Sequence, residues 1–402
     1  MSDGGDRFRW HASAQIAGAP RPPALLDAPQ SGAIADQPAP AALFAAFALA
    51  GGGRSFRVGG GLEPPLSGPQ PMFETLTSGT SGTPRRILRS QASWTASFVV
   101  NAGLFGIGPG TGVAVLGRLI HSLALYGALE ALHLGATLHL LADLRPDKQR
   151  QALAGGRVAV LFATPAQARL LTDSVGLQLP DLRVILIGGS KLDGVLRDKI
   201  AAMAPNADLR EFYGAAETSF LTLATQVDPP ASVGKPYPGV SLEIRDATGC
   251  CLEMGAVGEV WAKSPHLFHS YAADQGTAVW HDGWLSVGEI GSLRGGALIL
   301  SGRKNRVVQI ADQSVYPEQI EAFMAVLPGI DRVAVLAKPD AKRGSVLVAI
   351  ALGDSAKVAA ILSAVRAEFG PLKCPRQIVW RTDWPALASG KTDLAALARD
   401  LA

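Results

Sequence analysis

Cysteine is scarce: Cys250, Cys251 and Cys374 are the three in a chain of 402 residues. Adjacent Cys250 and Cys251 are poorly placed to pair with each other, because disulfide geometry disfavours neighbours. No CxxC pair exists, which excludes the common structural zinc frameworks. So few thiols fit a reducing cytoplasm, the expected location. Charge is also low, at 18% of residues, against a usual ~25%. The balance of 37 Lys and Arg against 34 Asp and Glu leaves +3. That excess is too small to mark a nucleic-acid or membrane-surface binder. No GxxxxGK[ST] phosphate loop is present. The longest uncharged stretch, 91–117, is interrupted by Asn101, Pro109 and six glycines, so no membrane span is expected. The N-terminus, MSDGGDRFRWHASAQ, lacks the apolar core of a signal peptide.

What the chain does have is apolar material for a large core, 48% of residues. Residues 1–70 are rich in Pro, Gly and Ala and read as a partly irregular segment around one helix, 41–50, stopped by three glycines. From about 71, short apolar runs (112–116, 136–141, 158–163, 183–187) alternate with helical stretches (93–104, 122–134, 147–154, 165–172, 192–204). That alternation predicts an α/β fold with a parallel sheet covered by helices. Strands at 241–245, 258–262 and 297–300 predict a β-rich subdomain. A small α+β domain follows, with strands 306–310, 332–337, 346–352 and 377–380 and helices 317–327 and 357–369. The expected organisation is a segment 1–70, a large domain 71–301 and a small domain 302–402.

Five short motifs carry the chemistry. Thr77-Ser78-Gly79-Thr80-Ser81-Gly82-Thr83-Pro84-Arg85-Arg86 follows an expected strand, 72–76. Hydroxyls interleaved with glycines offer O–H and N–H donors to phosphate oxygens, and the two arginines add positive charge. Glu211 to Thr218 (EFYGAAET) sets an aromatic ring, able to stack on a flat base, near a carboxylate able to hold Mg2+ against a polyphosphate. The third, Asp282 to Gly291, places Glu289 among glycines, where a carboxylate can accept two ribose hydroxyls; alone it reads as a tight turn. The fourth joins Ser301-Gly302-Arg303-Lys304-Asn305 to Val315-Tyr316-Pro317-Glu318. The fifth is Ser389-Gly390-Lys391.

In this order the five resemble the adenylate-forming superfamily of acyl-CoA synthetases, nonribosomal adenylation domains and luciferases. The resemblance runs from about Phe73 to Lys391. It implies a large N-terminal domain, a small mobile C-terminal domain, and a hinge at Asn305. It also implies ATP-dependent activation of a carboxylic acid to an acyl-adenylate, with pyrophosphate release, then transfer to a thiol. Thr77, Ser78, Gly79, Thr80, Ser81, Gly82, Thr83 and Arg85 would hold the phosphates. Glu217 would bind Mg2+. Gly189, Tyr213, Gly214, Ala215 and Ala216 would frame the adenine, with Tyr213 stacked on it. Glu289 and Arg303 would hold the ribose, and Lys391 would bridge the carboxylate and α-phosphate. His121, Gly188, Gly189, Ser190 and Phe220 would line the acyl pocket, whose apolar character points to a hydrophobic or aromatic acid.

The chain departs from the family at Arg85, where lysine is usual, and at Ala216, where threonine is usual. Glu289 stands for aspartate, Asn305 for Asp or Lys, Gln309 for lysine and Asp312 for glycine. The last three fall on the face that serves thioester formation. Coenzyme A is the expected acceptor. The alternatives are the phosphopantetheine arm of an acyl carrier protein, or a non-catalytic nucleotide-binding protein on the same fold. The phosphate loop lies early in the chain, which implies a compact variant. Its exposed sheet edge would be covered by residues 1–70 or by a second subunit of a homodimer.

Overall fold

The computed structural model describes residues 6–20, 30–77, 85–174, 176–229, 231–272, 278–311, 313–341, 343–387, 392–399 and 401. The chain divides into two compact units. One comprises Met1–Leu242, Ala262–Leu285 and Gly295–Leu298; the other comprises Glu243–Trp261, Ser286–Arg294 and Ile299–Ala402. The sequence places a single boundary at 301/302, whereas the units interleave along the chain.

The first unit is built on an eight-stranded sheet. Its order is Gln15–Ile16, Thr137–Leu140, Gly112–Val115, Val158–Ala163, Val184–Ile187, Asp208–Ala215, Ser219–Ala224 and Lys235–Pro236. The first six strands run parallel and the last two are antiparallel. All six residues of Val158–Ala163 are buried, as expected for a strand covered on both faces. Helices Ser122–Leu134, Pro146–Gly155, Pro165–Asp173 and Gly194–Met203 make the crossovers. The expected strands and helices of this region are present to within one or two residues at most ends.

A second sheet in this unit has the order Ser270–Tyr271, Arg86–Ser90, Met72–Leu76, Phe56–Val58, Ala33–Ile34. The N-terminal segment is better integrated than the sequence predicts. Its helix spans Ala39–Gly51 with eight buried residues, and three of its short strands join the two sheets. Phe8 is 1% exposed, and its ring packs against Phe56, Phe73, Trp94 and Phe98 at 5.1–6.3 Å. Burying a side chain of this kind contributes about 1.5–3 kcal/mol.

A five-stranded sheet runs Ser241–Arg245, Gly258–Lys263, Trp284–Arg294, Trp280–His281, with Ala297–Arg303 also paired to Trp284–Arg294. The expected turn around Glu289 is therefore an eleven-residue strand, and the tight turn is confined to Asp282-Gly283, at φ 50° and 78°.

The remainder of the second unit is the expected α+β module. Strands Ile330–Asp340 and Gly344–Gly353 form a long antiparallel hairpin, extended in parallel by Ile378–Arg381. Helices Pro317–Met324 and Val358–Lys373 cover it. Ile320, Met324, Val335, Leu347, Ile361 and Val365 are central to its core. Among the described residues no helix is long and apolar enough to cross a membrane.

Candidate active site

Strands Met72–Leu76 and Arg86–Ser90 pair antiparallel, with Leu76 opposite Arg86. They bring the two ends of the hydroxyl-rich loop together. The Thr77 amide donates to the Arg85 carbonyl at 2.9 Å, and the Arg85 amide donates to Thr77 Oγ1 at 3.2 Å. The loop's neck is thus a closed pair. Ser78, Gly79, Thr80, Ser81, Gly82 and Thr83 lie outside the described residues.

Beneath the neck sits a buried charge cluster. Glu74 and Arg57 are both fully buried and 2.9 Å apart. Arg86 reaches Glu74 at 2.7 Å and Glu63 at 2.9 Å. Arg86 was expected to add charge toward phosphates. Its guanidinium is instead taken by the two carboxylates, and the hydrogen bond to Glu74, foremost, raises its pKa. Arg86 opens a strand whose first four residues are all buried, whereas Arg85, just before it, is exposed at the neck.

The second motif forms a hairpin between Asp208–Ala215 and Ser219–Ala224, with a bulge between Tyr213 and Gly214. A Cβ at Gly214 would lie 1.7 Å from the Ser219 carbonyl oxygen, so only glycine allows this approach. The Ala215 amide donates to Thr218 Oγ1 at 2.9 Å, and the Thr218 amide to the Ala215 carbonyl at 3.1 Å. This compact turn presents Glu217, which is half-buried. Its Oε1 accepts a hydrogen bond from the Tyr271 phenol at 2.9 Å. Its carbonyl accepts from the Phe268 amide at 2.8 Å. Burial first, then the Glu217 charge, pushes the Tyr271 pKa up to about 12, so the phenol stays a donor at neutral pH. The Arg85 guanidinium lies 5.7 Å from the centre of the Tyr271 ring. Arg85, Tyr271 and Glu217 therefore adjoin one another at the loop's neck.

Tyr213 is half-buried in its strand, while Ala215 is exposed at the turn. The neighbouring strand Val184–Ile187 runs into Gly188 and Gly189. A Cβ at Gly188 would meet the Phe212 ring at 2.2 Å, so this glycine makes room for the ring beside Tyr213. Ser190 is exposed. Phe220 is 2% exposed. Its ring packs on Phe212, Tyr126 and Tyr237 at 4.5–5.2 Å, within an aromatic cluster. His121 is exposed at the start of helix Ser122–Leu134. Partial desolvation of its ring and then the Arg118 charge lower its pKa, favouring the neutral imidazole.

In the second unit, Glu289 Oε1 lies 3.7 Å from Arg303 Nε. These expected ribose partners are therefore neighbours. Asn305 sits in a single 3-10 turn, Lys304–Arg306. Lys304 on one side contacts both Glu259 oxygens at 3.0 Å. Arg306 on the other side holds Glu318 at 3.1 Å and Glu321 at 2.7 Å. Gln309 is exposed on the strand after the hinge and donates to Ser314 Oγ at 2.7 Å. Lys391 and Asp312 lie outside the described residues.

The donor set suits Mg2+. Glu217 offers hard carboxylate oxygens, and no group of three or more His, Cys, Asp or Glu side chains is gathered to hold a metal among the described residues. One carboxylate beside a hydroxyl-rich loop suits a cation that keeps most of its shell as water and substrate oxygens.

Two contributors escaped the sequence. Tyr271 lies in a two-residue strand too short to show a period. Arg89 lies in the five-residue strand Arg86–Ser90, whose first four residues are buried, and a charge buried there needs polar partners. It donates to the Ala216 carbonyl, to Ser219 Oγ and to the His266 carbonyl.

Known proteins resemble this chain over most of its length. The profile described as AMP-binding enzyme matches residues 23–272, and that of the AMP-binding enzyme C-terminal domain matches 319–391. The chain is 32% identical over 333 residues to the uncharacterized acyl-CoA ligase YhfT of Bacillus subtilis (strain 168), covering 82% of this chain and 68% of YhfT. It is 28% identical over 345 residues to indoleacetate–CoA ligase of Aromatoleum aromaticum, covering 81% of this chain and 67% of that protein. It spans 60% of VraA of Staphylococcus aureus (strain COL), at 30% identity over 283 residues. Among solved structures, the amide bond synthetase McbA from Marinactinospora thermotolerans superposes with a TM-score of 0.73 at 26% identity, covering 82% of this chain and 69% of McbA. ATP-bound MatB from Rhodopseudomonas palustris shares the fold, with a TM-score of 0.74 at 22% identity over 92% of this chain and 79% of MatB.

Proposed function

This chain belongs to the AMP-binding enzyme family, and from that membership we propose that it joins a hydrophobic or aromatic carboxylic acid to a thiol at the expense of ATP. The single observation that supports this reading most is the placement of Glu217, Tyr271 and Arg85 together at the neck of the hydroxyl-rich loop.

The physical difficulty is that a carboxylate must approach the α-phosphate, anion against anion. Catalysis is then positioning and charge neutralisation. An acid oxygen attacks the α-phosphorus, the bond to the β-phosphate oxygen breaks, and pyrophosphate leaves. The hydroxyls from Thr77 to Thr83 and the Arg85 guanidinium hold the departing phosphates. Glu217 would hold Mg2+, which would supply charge neutralisation of the phosphates when bound. Glu289 and Arg303 orient the ribose, and Lys391 draws the two reacting anions together. In the second step a thiolate attacks the acyl carbon and AMP departs with the oxygen that came from the acid.

Coenzyme A is the proposed acceptor, on the strength of the ligase names of its relatives. Asn305, Gln309 and Asp312 depart from the family pattern on the thioester face, so a carrier-protein arm belongs in the same test, as does an amine, given the likeness to McbA. The experiment is pyrophosphate release from ATP and Mg2+ across a panel of fatty and aryl acids. It is repeated with CoA, with a holo carrier protein and with an amine. Acid-dependent pyrophosphate and CoA-dependent AMP are expected. No pyrophosphate from any acid contradicts the reading.

A further inference from the structure

Arg89 is fully buried, paired with Phe73 three residue pairs beyond Leu76–Arg86 at the neck of the hydroxyl-rich loop. A charge so placed normally needs a counter-charge. Among the described residues no carboxylate lies within ion-pair distance of it. Its donors go instead to the polypeptide that carries Glu217. One meets the Ala216 carbonyl, just before Glu217. Another meets Ser219 Oγ, two residues after it, at 2.7 Å. A third contact is the His266 carbonyl, at the start of the segment whose Phe268 amide and Tyr271 phenol both donate to Glu217.

Ser219 adopts φ 57°, a left-handed conformation that non-glycine residues seldom take. Its hydroxyl is held by two donors, Arg89 and the Trp94 indole N–H at 3.1 Å. The Trp94 ring also flanks the guanidinium, 5.7 Å from its centroid. So the turn that displays Glu217 is pinned on both sides. The planar guanidinium reaches these acceptors from two separated nitrogens in fixed directions; an ammonium presents its three donors from a single atom on a flexible stem and holds them less rigidly.

We infer that Arg89 is a positioning residue for Glu217: it fixes the turn and the adjoining Phe268–Tyr271 segment so that the carboxylate is pre-set to receive the metal of a metal–nucleotide complex. This rests on the reading of Glu217 as the magnesium carboxylate. Burial pulls the Arg89 pKa down to about 9, with the Glu217 charge opposing the shift, so the fork remains charged at neutral pH.

The test is calorimetric binding of ATP, with and without Mg2+ and with no acid present, to the wild type, Arg89→Lys and Ser219→Ala. Thermal melts establish that each variant is folded. For Arg89→Lys the half-saturating Mg2+ should rise roughly 10–100-fold, the usual effect of losing a group that orients a metal ligand. Metal-free ATP binding should be unchanged. Ser219→Ala, which removes one acceptor and leaves the guanidinium, should move the same way by a smaller factor and serves where Arg89→Lys does not fold. Adding Glu217→Gln to either variant should produce no further rise beyond that of Glu217→Gln alone. Wild-type Mg2+ dependence in Ser219→Ala and in folded Arg89→Lys overturns the inference, as does wild-type ATP binding that ignores Mg2+ altogether. A wild type that binds Mg2+·ATP normally but yields no pyrophosphate with any acid removes the ligase reading, while the binding comparison still decides the role of Arg89.

Discussion

The phenol of Tyr271 donates to a carboxylate oxygen of Glu217 across 2.9 Å, joining residues 54 positions apart. Tyr271 also pairs with Ile87 on the strand that leaves the hydroxyl-rich loop. A single side chain therefore ties the metal-binding candidate to the loop it must serve. Tyr271→Phe removes the donor and keeps the ring. The expected outcome is a drop of about tenfold in kcat/KM for Mg2+·ATP, the size expected for a lost orienting contact. Thermal stability should move by no more than a few degrees, because the pair is half exposed. Steady-state pyrophosphate release at varied Mg2+·ATP is the check, and unchanged kinetics would remove Tyr271 from the site.

Lys391 is assigned from sequence order. Lys391→Ala should slow adenylate formation at least ~100-fold, the scale of losing one charge-stabilising donor in a transition state. The melting temperature should stay within roughly 1 °C, the usual scale for a substitution that removes no core packing. Rapid-quench measurement of pyrophosphate decides the point; a wild-type burst means that another cation bridges the anions.

Glu74 faces two arginines, Arg57 and Arg86, at 2.9 and 2.7 Å. Glu74→Gln leaves both guanidinium groups short of their buried counter-charge. Removing one partner of such a cluster costs about 3–5 kcal/mol. Urea unfolding should show that loss. A loss below ~1 kcal/mol would mean that water or Glu63 replaces the charge.

How much of this was legible beforehand follows from where the signals lie. Val158–Ala163 and Ser122–Leu134 were readable to the residue, because a strand buried on both faces is an unbroken apolar run and a buried helix ends at a glycine. Asp208–Ala215 was not readable as a strand, since Asp208, Arg210 and Glu211 interrupt its apolar pattern. Trp284–Arg294 was hidden by Gly288 and Glu289, which resemble turn residues. Gln15–Ile16 and Ala33–Ile34 are too short for any period. In the candidate site, motif order singled out Glu217, Glu289 and Arg303 as expectations, and the structure sets Glu289 beside Arg303. It could not show that Arg86 turns inward to Glu74, or that Arg89 and Tyr271 secure Glu217. Those facts depend on strand register between distant segments, which local sequence does not encode.

Glu130 is fully buried. Its Oε1 accepts from Asn101 Nδ2 at 2.8 Å and from the Tyr126 phenol at 3.2 Å, while Oε2 has no partner. Burial, opposed by those two hydrogen bonds, pushes its pKa up from 4.5 to about 8. Below pH 4.5 the folded and unfolded forms both hold the proton. Between 4.5 and about 8 the unfolded chain has released it and the folded chain has not. Its contribution to stability is thus fully present below pH 4.5 and lost progressively as pH rises toward 8. Glu130→Gln cannot titrate, so its melting temperature relative to wild type should climb from pH 5 to pH 8. A constant difference across that range would show that Glu130 is ionised in the fold.

The central claim is that a carboxylate oxygen attacks the α-phosphorus of ATP. The most direct measurement uses an accepted acid labelled with 18O in its carboxyl group, turned over with ATP, Mg2+ and the thiol, followed by mass spectrometry of the nucleotide. One 18O atom in the phosphate of AMP, with unlabelled pyrophosphate, is the predicted result. Label in inorganic phosphate alongside ADP, or AMP without label, would contradict it.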